Sequence, residues 1–227
     1  RKRAGHSIDA VSHAMNKDVE VIKAWETGNK APTYVQLEKL AYQLYKRPIA
    51  IFFFPEPPQE PDLKKSFRTV PEFEFESFSA DTLYALRYAQ AMQLALKELN
   101  DGVNPSEKRI FTDIKLDSGV NISKIVEQVR DYLKVSLNQQ IQWASDDEAL
   151  KAWRDRVEQA GIFVFKDSFK QKDISGFCLF DQEFPVIYLN NSNAKTRQIF
   201  SLFHELAHVL FHVNGITKRD DSYIAYL

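Results

Sequence analysis

A chain of 227 residues with a formal charge of -1, one cysteine and seven glycines has room for one large domain or two modest ones around a real core. The lone cysteine excludes an intramolecular disulfide framework and suits a reducing cytosol, and so few glycines exclude a collagen-like or linker-dominated chain. With 44% hydrophobic and 27% charged residues the composition is globular, and no apolar run approaches the ~20 residues of a membrane helix.

The longest apolar candidate, residues 48–54 (PIAIFFF), is short and is closed by Pro55. The chain opens Arg1-Lys2-Arg3 without the apolar stretch of a signal peptide. A helix-rich cytoplasmic protein with no membrane partner is therefore expected.

Residues 1–47 carry nine Lys/Arg against five Asp/Glu, a balance of +4, which leaves -5 for the other 180 residues. Apolar residues recur there at helical spacing: Ile8, Val11 and Met15, then Val21, Ile22 and Trp25, then Val35, Leu37, Leu40, Ala41 and Leu44. Asn16 and Asp18 break the first pair of segments. Gly28, Asn29 and Pro32 break the second, with Gly28 suited to a C-cap and Thr33 to an N-cap. Three short helices are predicted. The proline-rich stretch 55–61 (PEPPQEP) forbids regular helix and reads as a linker, dividing the chain into domains 1–57 and 58–227.

Beyond it, residues 79–100 read as a long helix capped by Ser79, 123–135 as a second and 146–159 as a third, ended near Gly161. The period then changes. Residues 162–165 give a short strand signal, and 176–180 with 186–189 read as a hairpin. Residues 194–213 return to helix, with Ser192 or Asn193 as cap. Helices, a small antiparallel sheet and a further helix make the fold class α+β.

The last helix carries the sharpest feature, His204-Glu205-Leu206-Ala207-His208. Four residues advance a helix by about 400°, so the two histidines share one face and can meet a single zinc ion at about 2.1 Å. Glu205 lies about 100° round, placed to take a proton from a metal-activated water and return it to a leaving amine. Phe200, Leu202, Phe203, Leu206, Val209, Leu210 and Phe211 make the helix apolar almost all round, hence buried. Polar side chains inside such a helix are costly unless satisfied, and metal satisfies them.

His212 stands about 12 Å along the axis from His204, too far to share a tetrahedral ion, so a packing role is expected of it. A third protein ligand is needed; Asp220 and Asp221 are the acids after His212, and a loop Asp so near the motif is unusual. That ligand is expected beyond Leu227.

The helix-turn-helix pattern in front and the HExxH helix behind a short strand (FPVIYLN) together resemble the ImmA/IrrE zinc metallopeptidases, in the form preceded by an XRE-type helix-turn-helix. Trp25-Glu26-Thr27-Gly28 with Pro32 resembles the XRE signature, and Ser66-Phe67-Arg68 resembles a further family feature. The resemblance implies a zincin-like helical domain, zinc held by His204 and His208, Glu205 as catalytic base, and a Glu on a following helix as third ligand. It also implies cleavage of a transcriptional repressor, often itself an XRE protein, in stress or mobile-element regulation.

Two local readings accompany it. The strand 186–189 either pairs with an extended substrate as an edge strand or is an ordinary buried strand, and Tyr188 and Asn190 are candidates to position substrate. In the front domain the second helix would begin near Asp18, Val19 and Glu20 and enter the major groove. Acids there repel phosphate, while Lys17, Lys23 and Lys30 can contact the DNA backbone. DNA binding, homodimerisation and recognition of another helix-turn-helix protein all stay open for this domain. So does a regulator whose peptidase fold is structural or sensory. Cys178 reads as a small buried hydrophobe.

Overall fold

The computed structural model describes residues 1–56, 58, 78–114, 116, 121–171 and 173–218. The linker and domain boundary placed near residue 58, Ser66-Phe67-Arg68, and Asp220 and Asp221 fall wholly or mostly outside the described residues.

The front of the chain forms α1 (Ile8–Met15), α2 (Val19–Glu26) and α3 (Tyr34–Glu38), the last continued by a π-helical turn, Lys39–Leu44. Ser7 caps α1 and Asn16 ends it in the left-handed region (φ 51°). Gly28 follows α2 at φ 77°, the conformation that suits a residue without Cβ. Thr33 and Gln36 cap α3 reciprocally. Val11, Met15, Ile22, Leu40 and Tyr45 close a small core of their own, with Trp25 packed against it. A 3-10 turn, Ile49–Phe53, leaves Phe53 and Phe54 largely exposed.

The larger region begins with α4 (Ala80–Leu99), capped by Ser79 as its sequence suggests. Then come α5 (Ile110–Asp113), α6 (Ile122–Leu133), α7 (Leu137–Ile141) and α8 (Asp146–Gln159). Three acids in the first turn of α8 and the Ser145 cap complement the helix N-terminus, which is why this boundary is sharp in the sequence. Gly161, at φ 87°, sits so close to the carbonyl of Lys108 that a Cβ would stand 2.9 Å from it.

Four strands follow: β1 (Phe163–Asp167), β2 (Ile174–Leu179), β3 (Val186–Asn190) and, after the helix α9 (Lys195–Leu210), β4 (Gly215–Lys218). Their order is β1-β3-β2-β4, with β1 parallel to β3 and the remaining pairs antiparallel. This corrects the expected antiparallel sheet to a mixed one. The 176–180/186–189 hairpin is present, but β3 inserts between β2 and β1 instead of lying outside. Every residue of β2 and β3 is buried, because both strands are internal to the sheet and helices cover both of its faces.

Alternation sorts these strands onto two cores. Cys178, Ile187 and Leu189 face α8 and α9, joining Trp153, Val157, Leu202, Leu206 and Val209. Phe177, Leu179, Val186 and Tyr188 face the other way, against Leu83, Leu86 and Ala89 of α4. Gln93 of α4 donates to the carbonyls of Phe184 (2.8 Å) and Leu179 (3.2 Å), tying the helix to the β2–β3 turn. The architecture is thus mixed helix and sheet, with helices on both sheet faces. No described helix is long and apolar enough to cross a membrane.

Candidate metal and catalytic site

The site is built on α9, whose two sides differ. Toward the sheet it buries Gln198, Ser201, Leu202, Glu205, Leu206 and Val209. Away from the sheet it presents Phe200 and His204 to the surface, with His208 half-buried. The N-cap is Ala194, which has no side-chain cap hydrogen bond, rather than the expected Ser192 or Asn193. Gln198 takes over locally, its Nε2 donating to the carbonyls of Asn193 (2.8 Å) and Asn191 (3.3 Å) and holding the entry loop.

His204 and His208 meet as their spacing predicts. Their Nε2 atoms stand 3.2 Å apart, with ring centroids 4.9 Å apart and nearly perpendicular. Two nitrogens bound at about 2.0–2.1 Å to one tetrahedral ion would stand about 3.3–3.4 Å apart, so the pair fits two coordination positions of zinc. Burial holds both imidazoles below their usual pKa, assisted at His204 by the Arg197 cation and at His208 by His204. Both therefore favour the neutral form in which histidine ligates metal. Among the described residues no group of three or more His, Cys, Asp or Glu is placed to hold a metal ion.

Glu205 is fully buried beneath β4. Its Oε1 accepts a hydrogen bond from the Thr217 hydroxyl, and its Oε2 has no hydrogen-bond partner among the described residues. Burial pushes this carboxyl up to about 7, against the lowering effect of hydrogen bonds from Thr217 and Cys178. A buried oxygen with no protein partner is a place for one water or a proton.

Strand β4 also closes on the histidine pair. A Cβ on Gly215 would stand 2.3 Å from His208 Cδ2, so the imidazole rests directly on a backbone that only glycine can provide. Gly215 and Thr217 are the site residues that sequence reasoning missed. The short GITK run is too brief to announce a strand, and its partner β2 lies far away in the chain.

Other expectations resolve individually. His212 is not a ligand: its Nε2 lies 2.8 Å from the Phe111 carbonyl oxygen and its ring stacks on Phe180 at 4.5 Å. Tyr188 is sealed on the far side of the sheet, stacked 5.1 Å from Phe177 and 5.6 Å from Phe169, so it does not position substrate. Asn190 is buried too. Its Nδ2 donates to the Ile174 carbonyl (2.8 Å) and its Oδ1 accepts from Phe169 N (3.2 Å) and Ser192 N (3.1 Å), which makes it a loop fastener. Strand β3 is internal, so the edge-strand reading of 186–189 fails. Cys178 is buried, and burial raises its thiol pKa, as fits a core residue. Lys17, Lys23 and Lys30 are all exposed, and Lys23 Nζ pairs with Glu20 Oε1 at 2.8 Å.

No curated protein and no solved structure matches the chain. Residues 157–225, which run from the end of α8 past β4 and include the whole HExxH helix, match the peptidase M78 family, described as the IrrE N-terminal-like domain.

Proposed function

We propose that the chain is a zinc-dependent endopeptidase that cleaves a protein substrate, with a transcriptional repressor as the substrate class. The observation that carries this reading is the 3.2 Å approach of His204 Nε2 to His208 Nε2, with the carboxyl of Glu205 on the intervening turn. The M78 match over the same residues supports it.

His204 and His208 would hold the ion together with a third protein ligand. Bound zinc supplies Lewis-acid polarisation of a carbonyl and lowers the pKa of a water. Glu205 acts as general base and then general acid: its carboxyl receives a proton and returns it to the leaving amine. Strand β4, at an edge of the described sheet and in contact with His208, replaces β3 as the strand that an extended substrate can pair with.

The test is incubation of the protein, as its gene encodes it, with candidate repressors and zinc. Cleavage that persists unchanged in Glu205→Gln rules the mechanism out.

A second reading is a cytoplasmic DNA-binding regulator, or antitoxin-like protein, whose peptidase fold is structural or sensory. It is favoured by the two eight-residue helices α1 and α2, joined by a three-residue turn in the manner of a helix-turn-helix, with Lys17, Lys23 and Lys30 exposed around them. The Glu20–Lys23 pair weakens it, since that part of α2 presents little net charge to phosphate. Gel-shift titration with genomic fragments decides, and absence of salt-sensitive specific binding excludes it. In that event the front domain serves homodimerisation or docking of an XRE-type partner.

A further inference from the structure

The face of α9 that carries the histidine pair also carries a cation. Arg197, Phe200 and His204 follow one another at intervals of three and four residues, the spacing that sets side chains on one helix face. They meet in that order. The guanidinium carbon of Arg197 lies 4.9 Å from the centre of the Phe200 ring, and that ring is centred 6.0 Å from the His204 imidazole. His208 comes one turn later, so a cation, an exposed aromatic ring and the two histidines form one row.

Arg197 is held at one edge and open at the other. Its Nε donates to Ser175 Oγ at 3.1 Å, and Ser175 is fully buried on β2. That bond and the ring of Phe200 fix the guanidinium in plane and position. Among the described residues no carboxylate pairs with it and its Nη1 and Nη2 make no hydrogen bond, whereas Arg1, Arg109 and Arg154 are engaged by Glu26, Glu183 and Glu158. Parallel N–H donors on a rigid planar cation are matched by a carboxylate.

The sheet connects this cation with the histidines. Strand β4 runs antiparallel to β2, with Gly215 opposite Cys178 at one end and Lys218 opposite Ile174 at the other. Gly215 is the residue on which His208 rests, and Ile174 is the chain neighbour of Ser175, which holds Arg197. An extended segment laid along β4 therefore has the histidines at one end and Arg197 at the other. Seven residues of helix separate His204 from Arg197, about 10 Å, and an extended chain covers that in about three residues.

We propose that Arg197 sets specificity by binding a carboxylate, the Asp or Glu side chain that a peptide substrate carries about three residues from the scissile bond. The proposal rests on the peptidase reading and on β4 as the strand the substrate follows. Ser175 and Phe200 are positioning residues: they order the guanidinium before the substrate arrives, so less rotamer freedom is lost on binding. A Lys or Arg at the same place in a substrate meets Arg197 as a like charge and is rejected.

The experiment uses the zinc-loaded protein, as its gene encodes it, and a random peptide library, with product ends read by mass spectrometry. On one side of the cut, at the third position or its neighbour, Asp or Glu should outnumber Lys or Arg by about 10-fold, the scale of one charge-assisted hydrogen bond. Arg197→Gln should remove that preference and Arg197→Glu should reverse it. Arg197→Lys keeps the charge without the fork and should retain part of it. A reversal is something a merely structural role would not produce.

Binding is read separately from cleavage. Zinc-loaded Glu205→Gln protein is titrated with a blocked, labelled alanine octapeptide carrying Asp at its second and seventh positions, three residues either side of the central bond, or with its Lys counterpart. Tighter binding of the Asp peptide, weakened by salt and lost when Arg197→Gln is added, supports the site. Cleavage with no acidic preference, or with one that Arg197→Gln and Arg197→Glu both leave in place, overturns it while leaving the peptidase standing. Binding selective for Asp and dependent on Arg197, without any cleavage, keeps the carboxylate site and removes the peptidase. Equal binding of the two peptides, or an Arg197→Gln protein that loses stability in urea with its peptide preference intact, overturns the proposal and makes Arg197 a partner for a carboxylate of its own chain.

Discussion

The two sides of α9 put the same five-residue motif to opposite uses. Outward, His204 is exposed and His208 half-buried, with their Nε2 atoms 3.2 Å apart. Inward, Glu205 is sealed against Thr217 and Cys178 and shares the environment of the core. A ligand must be reachable, whereas a base that works near neutrality needs a low-dielectric setting to raise its pKa. One turn of helix provides both, because adjacent residues point about 100° apart.

The comparison makes graded predictions. Glu205→Gln should lower peptide cleavage by about 10²–10⁴-fold while leaving zinc affinity nearly unchanged, measured by product formation and by chelator competition. Equal losses of both would show that the carboxyl is not separated from the ligands as described. His204→Ala should weaken zinc binding by more than about 100-fold, since even groups that only support a ligand are worth about 10–100-fold. Its stability without metal should change by under about 0.5 kcal/mol, as for other surface positions, in urea titration.

On the inner side the balance should reverse. Thr217→Val removes the donor to a buried carboxyl and should cost about 1–3 kcal/mol in the same titration, larger than the effect of His204→Ala. A smaller loss than that of His204→Ala would collapse the distinction between the two sides. Gly215→Ala touches both, because its methyl must displace either the His208 ring or β4. Overpacking of this kind costs about 1–3 kcal/mol, and zinc affinity should fall with it. If stability falls and zinc affinity does not, β4 gives way and the imidazole stays in place.

Legibility in the sequence followed the range of the interaction. Helix α8 is recovered at its limits, Asp146 and Gln159, because its cap and acidic first turn are local signals. The Ser79 and Thr33 caps were legible for the same reason. The convergence of His204 and His208 follows from helical period alone. Sheet order was not legible. Nothing near residues 163–167 or 186–190 states that these two strands pair in parallel, and the choice depends on which strands come to flank β3. Tyr188 and Asn190 were misread because a polar atom beside a catalytic helix looks functional until its partners are known. Asn190 is instead spent on three loop contacts.

By itself the sequence determined the longer helices, the mixed helix-and-sheet class of the fold and the placing of two histidines one turn apart with an acid beside the first, all properties of short spacing and local capping. Only the tertiary structure decided that Glu205 is the buried member of the motif. It also decided that β4 rather than β3 lies against His208. Those depend on which distant backbone and side chains come to rest against α9, and contacts between residues far apart in the chain leave no periodic trace in it.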